Sequence, residues 1–216
     1  MPAVTDAATA AALGDRLLAD MEPWRDWGKP TQQAIVDAAL DSFAERGFHG
    51  TSLKHIAQGS GLSTAALYVH FASKEELLFA LSRRGHTLAL GIVATAAAIP
   101  DPVTAAQVLV YSFTRWHAEA RTLARVVQYE QGALGPGHAE EIAGLRRDTE
   151  QAVRDLVGRG VASARFAVPD VRGASAAILS LGIDVARWYS SRSPWTPHDL
   201  GVLYVELASR LLGVGE

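Results

Sequence analysis

A chain of 216 residues with 49% hydrophobic and 20% charged side chains has the material for a sizeable core and does not read as a disordered polymer. With no cysteine it can form neither disulfides nor thiolate metal sites, which fits a reducing cytoplasm as the expected compartment. A formal net charge of −3 argues against a protein that coats nucleic acid along its whole surface, yet leaves room for one local contact face.

In chain order, residues 1–30 read as an N-terminal arm, flexible in part. Ala3 to Asp20 has helical potential but little apolar periodicity, and the stretch from Glu22 to Pro30 interrupts it with two prolines and a glycine. Nothing here looks like a secretory signal, because no basic segment precedes an apolar core. Thr31 to Arg46 is predicted as a helix, with Ile35, Val36, Ala39, Leu40 and Phe43 at spacings of three and four. Thr31 is its expected cap and Gly47 its stop. A short helix is expected over Ser52 to Gln58 with Thr51 as N-cap, then a turn at Gly59-Ser60-Gly61. A second short helix capped by Ser63 is expected to run to about Val69. Ser73 and Glu76 then form a capping-box pattern that opens a long helix to about Ala97.

Helical periodicity continues over Thr104–Ala118, Arg121–Leu134, Ala139–Phe166, Val171–Ser191 and Asp199–Leu212, with proline or glycine before each of the last three segments. No alternating strand pattern with hairpin chemistry occurs. The weakly polar run from Leu88 to Pro100 is too short to span a bilayer, so no membrane partner is expected. The expected fold is all-α with about nine helices. Residues 31–80 form a helix-turn-helix domain, and residues 81–216 a ligand-binding and dimerisation domain.

Two short helices joined by a glycine-containing turn, behind a longer first helix, are an arrangement for placing a helix in the major groove of duplex DNA. Leu62, Leu67 and Phe71 are the anchors of the second short helix. Ser63, Thr64 and Ala65 are expected to face the bases, where small side chains permit close approach. Tyr68, His70 and Lys74 are expected on phosphates, together with Thr51, Ser52 and Lys54 from the preceding helix. Five basic residues balance five acidic ones between residues 24 and 75, so binding must use positioned charges and dimer avidity rather than bulk attraction.

The run Gly50-Thr-Ser-Leu-Lys-His-Ile-Ala57, the run Gly61-Leu-Ser-Thr-Ala-Ala-Leu-Tyr-Val-His-Phe71 and the run Ser73-Lys-Glu-Glu-Leu77 resemble the N-terminal domain of TetR/AcrR-type transcriptional repressors, over Thr31 to Leu81. The resemblance implies a dimeric one-component regulator that leaves a near-palindromic operator when a small molecule binds its C-terminal domain. Family members often carry a second Tyr or His directly after the Tyr; Val69 stands there in this chain, so one customary phosphate contact is missing. The alternatives are an activator, an architectural DNA binder without effector and, least favoured, a helical enzyme.

In the C-terminal part, Tyr111, Trp116, Arg125, Tyr129, Arg187 and Trp188 are the candidate effector residues, because aromatic walls with a few cations suit a bulky, partly apolar anion. The run Arg187-Trp-Tyr189 resembles a subset of TetR-type regulators of lipid and steroid catabolism whose ligands are acyl-CoA thioesters. Leu179 and Ile183, with Leu203 and Leu207, form apolar stripes expected to meet across a four-helix homodimer seam. No catalytic residue, metal ligand or cofactor is expected. His-Glu-x-x-His and Gly-x-Ser-x-Gly patterns are absent, and no strand precedes the glycine-rich run at 132–137.

Overall fold

The computed structural model describes residues 6–21 and 26–214, which are helical with no strand. Ten α-helices follow in order: α1 (Ala7–Met21), α2 (Pro30–Gly50), α3 (Leu53–Gly59), α4 (Thr64–Tyr68), α5 (Lys74–Ala97), α6 (Pro102–Glu119), α7 (Arg121–Tyr129), α8 (Pro136–Ala162), α9 (Val171–Trp188) and α10 (Pro197–Leu211), with a 3-10 turn at Gln131–Ala133. They sort into two compact units. One comprises residues 23–87 and 122–144, the other residues 1–22, 88–121 and 145–216.

In the first unit, α2 packs on α3 and α3 on α4. Ile35, Val36, Ala39 and Phe43 of α2, Ile56 and Ala57 of α3, and Leu67 of α4 are buried, as are Leu77, Leu78 and Leu81 of α5. Fully burying such a side chain contributes about 1.5–3 kcal/mol, so these few positions stabilise the unit. Pro30 occupies the first turn of α2, where its missing N–H costs nothing, and Lys29 rather than Thr31 holds the N-cap position. At the other end Gly47 (φ 68°, ψ 172°) breaks the helical path of α2, a left-handed conformation natural to glycine.

The second unit is built on α6, whose Val103, Leu109, Tyr111, Phe113 and Trp116 are buried. It packs against α10, α9 and α1. The side chains of Asp101, Asp170 and Thr196 cap α6, α9 and α10.

The helix α1 corrects the reading of residues 1–30 as an arm. Asp6 accepts a hydrogen bond from the Thr9 N–H at 2.7 Å, and an alanine-rich run of high helix propensity follows. Ala10, Ala11, Gly14 and Leu17 are buried on one face, against α6 and α10. That stripe is made almost wholly of small residues, so it lacks the bulky periodicity that marks a packed helix. Residues 1–5 and 22–25, also part of the expected arm, lie outside the described residues.

Small side chains are required where α1 docks. A Cβ on Gly14 would lie 2.3 Å from Tyr111 Cδ1, and one on Gly201 of α10 would lie 2.6 Å from Tyr111 Cδ2. The Tyr111 ring therefore fills a slot between two glycines. Its hydroxyl donates to Asp15 Oδ1 at 2.5 Å, and Arg115 pairs with the same carboxylate. Because that hydroxyl proton goes to Asp15, His198 Nδ1, 2.7 Å away, must carry a proton and donate to the hydroxyl oxygen. Burial, and next the Asp15 hydrogen bond, push the Tyr111 phenol up to about 12. Gly14→Ala is expected to destabilise the protein by roughly 1–3 kcal/mol through overpacking. Gly132→Ala, with no atom within 4 Å of the added methyl, is expected to be nearly silent. Thermal melts of the two variants compare them directly; equal melting temperatures would refute the slot.

Candidate nucleic-acid interface

The geometry of the helix-turn-helix is set by polar closure at the end of α2. Thr51 is 2% exposed, and its hydroxyl lies 2.9 Å from the Ser42 carbonyl and 2.8 Å from that of Gly47. Lys74 Nζ donates to the carbonyls of Phe48 (2.6 Å) and Thr51 (2.7 Å) and sits 4.1 Å from the centre of the Phe48 ring. Both residues were expected on DNA. Thr51 has almost no surface to offer it, and the Lys74 ammonium spends two of its three donors on the backbone. The N-cap of α3 is Ser52 rather than Thr51. Ser52 Oγ accepts from the His55 N–H, and the Ser52 N–H donates to His55 Nδ1, a capping box with histidine at the third position.

Gly61 (φ 70°) carries the chain from α3 into α4, and the Leu62 N–H bonds back to the Ala57 carbonyl. Ser63 caps α4 as expected, its Oγ accepting from the Ala66 N–H at 3.1 Å. Leu67 is wholly buried and Phe71 nearly so, which fixes the rotation of this five-residue helix about its axis. The outward face carries Ser63, Ala65, Tyr68 (53% exposed) and Val69, while Thr64 and His70 are half-buried. Ser52 and Lys54 are exposed on α3. Ser73 Oγ accepts from the Glu76 N–H, and Glu76 accepts from the Ala72 N–H, so the expected cap at the start of α5 is displaced by one residue on its return bond.

The same unit includes α7, the 3-10 turn and the first residues of α8. Glu75 Oε1 accepts from the Gly135 N–H (2.8 Å) and lies 2.9 Å from His138 Nδ1, while the His138 ring stacks on Phe79 with centroids 3.7 Å apart. No spacing rule in the sequence points to this link, because its partners stand 60 residues apart.

The six candidate effector residues do not share one unit. Tyr111 and Trp116 are buried on α6, with the Tyr111 hydroxyl committed to Asp15. Arg187 pairs with Asp184, and Trp188 beside it is 39% exposed. Arg125 and Tyr129 are exposed on α7 in the other unit. Of the expected seam residues, Leu179 is buried within the protomer, Ile183 and Leu203 are half-buried, and Leu207 is exposed. Leu211 and Trp195 are exposed apolar residues as well.

Burial pushes the Glu75 carboxyl up, but the Gly135 N–H and His138 outweigh it, leaving the group below its ordinary value of 4.5. A carboxylate depressed in the folded state contributes stability above that ordinary value and loses it as pH falls through the folded one. Glu75→Gln is therefore expected to cost about 1–3 kcal/mol at pH 7. The difference from the wild-type chain, followed by denaturant titration, is expected to shrink as pH drops below 4.5. A gap that stays constant with pH would mean that the carboxylate charge is irrelevant.

Comparison with known proteins agrees with this geometry. Residues 35–81 match the bacterial regulatory proteins of the tetR family, and residues 106–212 match the tetracyclin repressor-like C-terminal domain. The HTH-type transcriptional regulator RutR of Escherichia coli is 47% identical over 53 residues, which are 24% of this chain and only 25% of that protein. A bacterial regulatory protein in the tetR family from Rhodococcus RHA1 superposes with a TM-score of 0.80 at 37% identity, covering 88% of this chain and all of that one. AibR, solved with isovaleryl coenzyme A and operator DNA, shares the fold with a TM-score of 0.75 at 18% identity over 86% of this chain and 100% of that chain. With its helix-turn-helix and its C-terminal domain both matched, the chain belongs to the tetR family of bacterial regulatory proteins.

Proposed function

We propose that the protein is a homodimeric, cytoplasmic transcriptional repressor without catalytic activity, released from a near-palindromic operator by a bulky, partly apolar anion such as an acyl-CoA thioester. The observation that carries the reading is α4. Leu67 and Phe71 hold it rigidly while Ser63, Ala65 and Tyr68 stay exposed, which suits a helix entering the major groove. Ser52, Lys54, Tyr68 and His70 are the proposed phosphate contacts, with Lys74 acting mainly through the fold. Among the described residues no helix is long and apolar enough to cross a membrane.

The half-buried Ile183 and Leu203, with the exposed Leu207, Leu211 and Trp195, support a dimer seam on α9, α10 and the segment that joins them. Leu179 belongs to the core beneath it. For the effector, the AibR complex with isovaleryl coenzyme A supports the acyl-CoA class. The buried Trp116 of α6 is the aromatic wall proposed for it. Such a ligand releases DNA only by binding the DNA-incompetent conformation more tightly, since equal affinity for both shifts nothing.

A gel shift with the DNA flanking its own gene tests the repressor reading. Lys54→Ala and Tyr68→Phe are expected to weaken binding to all sequences alike, and Lys54→Ala to lower the salt slope by about one. Ser63→Ala is expected to alter base preference instead. Adding acyl-CoAs is expected to raise the melting temperature and release the DNA. Variants that all bind like wild type would refute the role of α4, and no response to any acyl-CoA would refute the effector class.

A further inference from the structure

Val69 is 82% exposed, the highest value among the exposed large apolar side chains of the described residues. It carries little of the fold. As C-cap of α4 it bonds the Ala66 and Leu67 carbonyls through its backbone N–H alone, and Leu67 and Phe71 supply the anchoring. Its dihedral angles (φ −67°, ψ −25°) remain helical, so Val69 stands one turn beyond Ala65 on the same face. Ala65 is exposed as well. The face of α4 thus presents an alanine methyl followed by an isopropyl group, beside the phenol of Tyr68.

Neither side chain has a donor, so neither can hold a phosphate oxygen. Among the base edges of the major groove, the apolar group is the C5-methyl of thymine. Ala65 lets the helix approach the bases closely, and the branched Val69 has the shape to cover a methyl beside it.

We propose that Ala65 and Val69 form an apolar seat for a thymine C5-methyl, which makes Val69 a specificity-determining residue and requires a thymine at one fixed step of each operator half-site. The proposal rests on the assignment of α4 as the helix that reads DNA. The charge-free side chain at a position where a phosphate contact is customary then reads a base instead of the backbone.

The test uses the full chain and duplexes selected by it from a random-sequence pool at fixed salt. Each thymine of the selected site is replaced in turn by deoxyuridine, which keeps every hydrogen bond and removes only the methyl. One symmetry-related pair of positions is expected to lose about fourfold in affinity per methyl, the value of one buried apolar carbon. Val69→Ala is expected to weaken the unsubstituted duplex to a similar degree, to leave the melting temperature unchanged, and to lose nothing further at that deoxyuridine position. Losses that add independently overturn the proposal, as does a Val69→Ala defect spread evenly over all sequences, the mark of a sugar or backbone contact. Failure of the wild-type chain to enrich any duplex would overturn the assignment of α4 itself and the proposal with it.

Discussion

Polar closure at the end of α2 is the constraint on which the DNA-binding unit depends. Where Gly47 ends the regular helix, the carbonyls of Ser42, Gly47, Phe48 and Thr51 accept side-chain donors from inside the fold. The Thr51 hydroxyl and the Lys74 ammonium supply them. Each buried carbonyl left bare would cost roughly 1–3 kcal/mol, comparable with the burial of a whole aliphatic side chain. Lys74 opens α5, so this one ammonium joins the end of α2 to the helix that follows the reading element, and α4 is framed between them. The recognition surface is therefore set before any DNA arrives. A consequence is electrostatic sparseness, since a cation that satisfies backbone carbonyls is largely withdrawn from the field offered to phosphates.

The other unit follows a different logic, close approach rather than polar closure. Gly14 and Gly201 bring two helices against the faces of one tyrosine, while Asp15, Arg115 and His198 hold its hydroxyl. Burial alone would make the Arg115 guanidinium easier to deprotonate, but hydrogen bonds to Glu119 and Tyr111 outweigh it and keep it charged. A phenol so committed is a structural element of this unit.

The helix-turn-helix was legible because its signals are local. Ser63 as cap, the glycine turn, and Leu67 with Phe71 as anchors are read from spacings of a few residues, and the structure places them as expected. The structural bonds of Thr51 and Lys74 were not legible, because a hydroxyl or ammonium that serves backbone carbonyls looks, in sequence, the same as one that awaits a phosphate. The helical potential of α1 was legible but its docking was not, because alanine and glycine stripes carry almost no hydrophobic contrast. The Glu75–His138 link and the Tyr111 slot were out of reach for a third reason: each joins residues 60 or more positions apart. Arg125 and Arg187 shared a chemistry in sequence, yet the chain places them in separate units.

Helix α1, first in the sequence, completes a unit whose remaining parts come from residues 88–121 and 145–216. On a translating ribosome its partner α10 emerges long after it, and at ~5–20 residues per second the wait is on the order of ten seconds or more. Throughout that interval the docking stripe of α1 has no surface to meet, whereas the helices around α4 have most of their own packing partners at hand. The unit that reads DNA is thus poised to form early, and the unit that closes around Tyr111 forms only once α10 has been made. A truncated product would keep a nearly complete helix-turn-helix and lack the rest of its core, which leaves it exposed to proteolysis as an incomplete domain.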